Sequence, residues 1–300
     1  MLIALGRFEL PSQGPEPYAR NCMLDHYTTG LLILIIKAYF INFLDMLKCM
    51  EEKIKNIIKK IIDKKYIYLA SSGSEAIKHL ANLLKYKTFL IQDQCALPEY
   101  RNADSYNEVK TNYGIIDLKD LNSKCQNKIL IINGLNHYFA EQPISEIVDL
   151  CKGKNCFVVN DVSGSFGLNS ARLGDYTLCN FGSDDTINLG YGGFLASNTE
   201  LNVAEDFDKG KLDELYEKLT NLDARSKYLY WINEKVKKDL NSFEIIHKDK
   251  RGVNVLIKFY AENEKKKIMK YCEKNQLDAT LNPKYIKSTG NMVAININKK

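Results

Sequence analysis

The chain of 300 residues lacks several things, and each absence closes off a class of function. Its eight cysteines include no Cys-x-x-Cys pair. The nearest two, Cys151 and Cys156, have no second pair and no histidine close by. A metal site is therefore not expected, and free thiols suit a reducing cytoplasm. No zinc-finger, RNA-recognition or KH pattern is present. The net charge of +5 comes from lysine scattered along the chain rather than from one basic block. Nucleic acid is accordingly not an expected partner. No apolar run reaches the roughly 20 residues of a membrane-spanning helix. The longest, LLILIIKAYFINFL at 31–44, is interrupted by Lys37 and Asn42. The long polar leader with prolines before it does not suit a signal peptide. There is no internal repeat and no low-complexity linker. One further absence matters most below: no lysine lies between Lys154 and Lys209.

What is present is ordinary in bulk. Hydrophobic residues make up 45% and charged residues 26%, as in a globular protein able to bury a sizeable core. The first 45 residues differ in composition from the rest. Arg7 and Arg20 are two of only six arginines, and Pro11, Pro15 and Pro17 are three of only six prolines. RFEL and LDHYTTGL (24–31) also resemble an antisense reading of a transfer-RNA gene, T-arm first and D-arm second. Residues 1–45 are therefore expected to be a mis-assigned leader outside the fold, with the start at Met46 or Met50.

From Met50 the pattern is regular. Ile54, Ile57, Ile58, Ile61 and Ile62 repeat at helical spacing, which predicts an amphipathic helix. YIYLA (66–70), TFLIQD (88–93), EVKT (108–111), KILIIN (128–133) and CFVVN (156–160) read as strands. A helix from about Glu75 to Tyr86 and another at ISEIVDLC (144–151) fall between them. Strands alternating with helices predict a mostly parallel sheet covered on both faces. After FLASN (194–198), residues 203–245 read as charged helix. VNVLIKF (253–259) and MVAINI (292–297) are strands flanking a helix at 261–275. The fold class is thus α/β, with a large three-layer domain at 50–200, then a helical segment and small α+β domain at 201–300.

Four stretches carry candidate chemistry. SSGSEAIKHL (71–80) is a strand-to-helix turn whose N–H groups and hydroxyls can cradle a phosphate. NCFVVNDVSGSFG (155–167) is a buried strand ending in Asp161, at the strand end that faces the ligand crevice of such sheets. RLGDYTLCNFGSDDTINLGYGGFLAS (172–197) is a strand, a loop and a double glycine. Residues 255–286 form a strand, a helix and a return. His79, His137 and His247 stand alone and read as surface or core residues. Trp231 and the tyrosines around 228–230 lie on a helix and read as packing or dimer contacts.

In this order the stretches resemble the fold-type I enzymes that depend on pyridoxal phosphate. Within them they are most similar to the DegT/DnrJ/StrS family of sugar aminotransferases. Ser72-Gly73-Ser74-Glu75-Ala76-Ile77 matches that family's Ser-Gly-Thr-x-Ala-Leu turn. Asp161-Val162-Ser163-Gly164-Ser165-Phe166-Gly167 matches its Asp-Ala-Ala-Gln-Ala-x-Gly. Residues 180–193 match Ser-Phe-His-x-x-Lys-x-Ile-x-x-Gly-Glu-Gly-Gly without a gap. The resemblance covers about residues 50–286. It implies that Ser72, Gly73 and Ser74 hold the cofactor phosphate, helped by Asn180 in place of a serine. It implies that Asp161 pairs with the pyridinium nitrogen, that Gly164 replaces a glutamine beside the ring, and that a stacking aromatic lies in 94–100. It also implies a cytoplasmic homodimer and a small-molecule ligand, a nucleotide-sugar or amino donor.

One position departs from that pattern. Asp185 stands where the family has its Schiff-base lysine, and a carboxylate forms no imine. Pyridoxal phosphate, if bound, would then be held non-covalently. Three functions remain open at this stage. The chain is an aminotransferase-like protein atypical or inactive in transamination, a working pyridoxal-phosphate transaminase or dehydratase, or a non-catalytic binding or regulatory subunit.

Overall fold

The computed structural model describes residues 21–83, 88–93, 106–136, 140–283 and 290–297. Residues 94–100 and His137 lie outside that set. The chain divides into two compact units, Met1–Cys49 and Met50–Lys300. Helix α1 (Asn21–Ile62) begins far upstream of the helix expected from Met50. Leu, Ile, Ala and Phe there are compatible with helix, and no proline falls between Pro17 and Pro98 to stop it. In the first unit Tyr39, Phe40 and Phe43 of α1 are exposed. Among the described residues no helix is long and apolar enough to cross a membrane.

In the second unit, Ile54, Ile58 and Ile62 are wholly buried. They stand four residues apart, so one stripe of the helix faces the core. Burying each contributes about 1.5–3 kcal/mol. The chain then runs through β1 (Tyr66–Ala70), α2 (Gly73–Leu83), β2 (Phe89–Gln92) and β3 (Tyr106–Val109). Next come the short strands β4 (Thr111–Asn112) and β5 (Ile115–Ile116), then α3 (Leu118–Lys124) and β6 (Ile129–Asn133). The short β7 (Leu135–Asn136) and β8 (Ala140–Glu141) precede α4 (Ile144–Lys152), β9 (Phe157–Asp161), β10 (Tyr176–Asn180) and β11 (Gly193–Ser197).

Seven of these strands form one sheet in the order β1-β11-β10-β9-β6-β2-β3. The neighbours from β10 to β3 are parallel, while β11 runs antiparallel to both β1 and β10. Alternate residues of the central strands serve opposite faces. Leu90, Leu130 and Val158 pack with Leu121 of α3 and Ile147 of α4. Ile91, Ile129, Ile131 and Val159 pack with Ala76 and Leu80 of α2. Both faces are thus covered, which is why these strands read as unbroken apolar runs.

The stretch after β11 corrects one expectation. Residues 203–245 were read as helix, yet 200–208 has no regular structure. It lies along the free edge of β1. Glu205 Oε2 accepts from the Leu69 N–H at 2.8 Å, Asp206 Oδ1 accepts from the Ser71 N–H at 2.8 Å, and Tyr68 Oη accepts from the Leu201 N–H at 2.7 Å. Side-chain acceptors satisfy an edge that would otherwise be open to pairing with another chain. That demand outweighs helix propensity.

Helices α5 (Leu212–Thr220) and α6 (Leu222–Asp239) follow. Then β12 (Glu244–Ile245), β13 (Asn254–Lys258), α7 (Glu262–Lys274), β14 (Asp278–Leu281) and β15 (Met292–Asn296) complete the chain. The four strands form an antiparallel sheet in the order β12-β13-β15-β14. Leu229, Ile232 and Val236 of α6 and Ile268 and Cys272 of α7 close its core over Val255, Ile257, Val293 and Ile295.

Strand β11 is seated by one glycine. A Cβ on Gly193 would stand 2.4 Å from the Cys179 carbonyl oxygen and 3.1 Å from the Gly73 nitrogen. Backbone lies on both sides and cannot rotate away. Gly193→Ala should destabilise the protein by about 3 kcal/mol. A urea midpoint shift at unchanged m-value checks this; a shift within error would contradict the packing described.

Candidate functional site

Four strand ends and one strand start meet at the carboxyl edge of the large sheet. Ala70 of β1 and Asn180 of β10 both pair with Gly193 of β11. Asp161, the last residue of β9, lies opposite Asn133 of β6. Ser72 bridges to Gly192. The antiparallel direction of β11 therefore brings the Ser72-Gly73 turn, Asn180 and the double glycine together, with Asp161 one strand away.

The turn after β1 is a helix start. Ser72 Oγ accepts from the Glu75 N–H at 3.1 Å, an N-cap bond. Gly73 opens α2, and its N–H donates to Asn180 Oδ1 at 3.2 Å. A Cβ on Gly73 would sit 2.8 Å from that of Asn180. Ser74 follows in the first turn of α2 and is half-buried.

Of the two neighbouring acids, Asp184 is exposed and Asp185 is only 4% exposed. Asp185 Oδ2 accepts from Asn180 Nδ2 at 2.6 Å and from the Gly182 N–H at 2.6 Å. The loop is bent to allow this. The Asp185 N–H donates back to the Gly182 carbonyl at 3.1 Å, and the N–H groups of Leu189 and Gly190 both donate to the Phe181 carbonyl. Ile187 seals the turn beneath, fully buried.

The chain of bonds runs on to Asp161, which is 3% exposed. The Asn180 N–H donates to Ser163 Oγ at 2.8 Å. The Ser163 hydroxyl donates to Asp161 Oδ1 at 2.6 Å, and its N–H donates to the same oxygen at 3.0 Å. Asn133 Nδ2 stands 3.5 Å from Asp161 Oδ2. The path from Gly73 through Asn180 to Asp185, and through Ser163 to Asp161, is continuous. Gly164 offers its carbonyl to the Thr186 hydroxyl at 3.0 Å.

Two buried carboxylates this close shape the local field. Burial first, then Asp185 and Asp161, push the Cys179 thiol well above its ordinary range. The thiol therefore stays protonated, and its S–H donates to the Asn180 carbonyl. From the other side, Arg225 of α6 donates through Nε to the Thr186 carbonyl at 3.0 Å. Burial lowers the pKa of its guanidinium. Three lysines are buried among the described residues, and each is engaged elsewhere. Lys55 is bonded to Glu51 and Glu205, Lys64 to the Arg172 and Gly174 carbonyls, and Lys237 to Glu234 and the Lys250 carbonyl.

The structure thus gathers Gly73, Asp161, Asn180 and Asp185 into one cluster, with Ser72 and Ser74 on the adjoining turn. Sequence reasoning missed Ser163 and Arg225. A hydroxyl two residues after Asp161 was a local signal for the first. Arg225 arrives from a distant helix and left none.

No protein-family model matches the sequence, and no curated protein is similar to it in sequence. Solved structures do match in shape. A NifS-like protein from Rickettsia africae ESF-5 superposes with a TM-score of 0.66 at 14% identity, covering 88% of this chain and 91% of that one. The apo cysteine desulfurase from Thermococcus onnurineus NA1 gives 0.67 at 11% identity, covering 85% and 81%. NtdA from Bacillus subtilis with bound PMP gives 0.64 at 14% identity, covering 83% and 73%. The chain has the fold of the pyridoxal-phosphate-dependent enzymes of fold type I.

Removing the Asp185 carboxylate leaves the partly buried Asn180 amide and Gly182 N–H without that acceptor. Asp185→Ala should cost about 1–3 kcal/mol. Asp185→Asn keeps an acceptor oxygen and should cost less. Urea unfolding of both variants tests the order; equal losses would remove the hydrogen bonds as the cause.

Proposed function

We propose that this chain is an aminotransferase-like protein related to the DegT/DnrJ/StrS family that has lost transamination and serves as a non-catalytic binding subunit, cytoplasmic and homodimeric. The observation that carries the reading is Asp185, buried and bonded through Oδ2 to Asn180 and Gly182 at 2.6 Å each. By the gap-free match of 180–193, this is the position of the family's lysine.

The residues present do not fit a covalently held pyridoxal phosphate. The position carries no amine, and the sequence from 155 to 208 contains no lysine to replace it. The donors expected to meet a phosphate are turned inward. The Gly73 N–H serves Asn180 Oδ1, and the Asn180 amide serves Asp185. A phosphate placed against them would also face the Asp185 carboxylate, a repulsion of a few kcal/mol in a dry site (about 4 kcal/mol at 4 Å for an effective dielectric near 20). Asp161 is engaged with Ser163 as well. The cluster therefore reads as a hydrogen-bonded plug that holds the large sheet's carboxyl edge together. A shape that keeps its fold after losing its chemistry remains available for binding, since function lies in the site and not in the fold.

The test is spectroscopic. Purified protein mixed with pyridoxal phosphate should show no internal-aldimine band and should retain no label on a site lysine after borohydride. An aldimine band together with a stable reduced adduct on any lysine, located by peptide mass spectrometry, would overturn the reading. Asp185→Lys provides the converse measurement: it should create the band, because it supplies the amine and releases the Asn180 amide that Asp185 holds.

A further inference from the structure

A second surface lies apart from that cluster and shares no residue with it. Between α6, the 247–251 turn and the segments at 141–142 and 169 runs an open groove of about 1260 Å³. A pocket for one small molecule is typically about 300–1,000 Å³, so the groove suits something longer. Lys238, Lys248, Lys250 and Arg251 line it and are exposed. Among the described residues none of these four forms an ion pair.

The carboxylates in the groove are fewer and largely engaged. Glu141 accepts from the Ser170 hydroxyl at 2.7 Å, and Glu234 accepts from Lys237 at 3.1 Å. Asp249 is the third. The walls are held in place. Lys237, 5% exposed, donates to the Lys250 carbonyl at 2.7 Å, and the Glu141 N–H donates to the Arg251 carbonyl at 2.9 Å. The Arg251 guanidinium lies 5.5 Å from the Tyr230 ring centroid, a cation–π contact that fixes its direction.

We propose that this groove docks an extended acidic segment of a partner protein. Charge complementarity supplies the attraction, and the pre-set Arg251 limits the entropy lost on binding. The amides of Asn169 and Asn241 also line it and can bond a peptide backbone. Glu141, Glu234 and Asp249 lie among the cations and disfavour the unbroken negative charge of a nucleic acid. The inference goes beyond the reading of Asp185 and stands whether or not the chain transaminates.

The test uses the full chain with a fluorescein-labelled peptide of alternating glutamate and glycine, read by anisotropy. A single-stranded oligonucleotide of equal charge serves as comparison. The peptide should bind saturably, more weakly with added salt. Lys248→Glu with Arg251→Glu should weaken it by about tenfold or more. Lys238→Glu with Lys250→Glu is the second variant, should the first fail to give a wild-type circular dichroism spectrum. Absent peptide binding overturns the proposal. So does binding unchanged in a folded variant, or tighter oligonucleotide binding lost on the same substitutions.

Discussion

A carboxylate buried at the end of a sheet needs hydrogen-bond donors brought to it, and Asp185 obtains two from its own loop and strand. The Gly182 N–H and the Asn180 amide both reach Oδ2 at 2.6 Å. Satisfying that charge fixes the side chain of Asn180, which then accepts from Gly73 and ties the start of α2 to the end of β10. The Asn180 backbone continues the path through Ser163 to Asp161. One buried carboxyl group thus organises four segments. An unmet charge there would cost far more than any one of these bonds contributes.

The same arrangement explains why the fold is stable with a carboxylate at position 185. Most of the sheet's stability comes from apolar burial on two faces, and the cluster adds a smaller share at its carboxyl edge. Leu90, Ile129, Leu130, Ile132 and Val159 are wholly buried, and α2, α3 and α4 cover them. The site sits at the rim of that core. A rim residue can change chemical type if its new hydrogen bonds close, and here they do. Gly73 and Gly193 keep their places for a separate reason, the close approach of backbone to backbone.

Much of this was legible in the sequence because strand and helix periods are local. Runs such as ILIIN and FVVND announced buried strands, and the isoleucines at 54, 58 and 62 announced the buried helix stripe. The motif spacing also placed Asp161, Asn180 and Asp185 at strand ends and on the loop between them. Three features were not legible. Residues 203–208 are acidic and were read as helix, but the carboxylates of Glu205 and Asp206 serve the open edge of β1. The helical start at Asn21 was hidden by an unusual composition. Arg225 and the walls of the groove come from segments far apart in sequence, so no local pattern marks them.

The sequence by itself determined the α/β class, the alternation of the main strands with helices, and the chemical fact that position 185 carries a carboxylate and no amine. Those depend on side-chain type and period alone. Only the tertiary structure decided that Asp184 faces solvent while Asp185 turns inward. It also decided that β11 runs against its neighbours, and that Asp185 meets Asn180 rather than an open pocket. Those outcomes depend on which backbone ends the sheet brings within hydrogen-bond reach, about 3 Å, and that distance is set by strand pairing across more than a hundred residues.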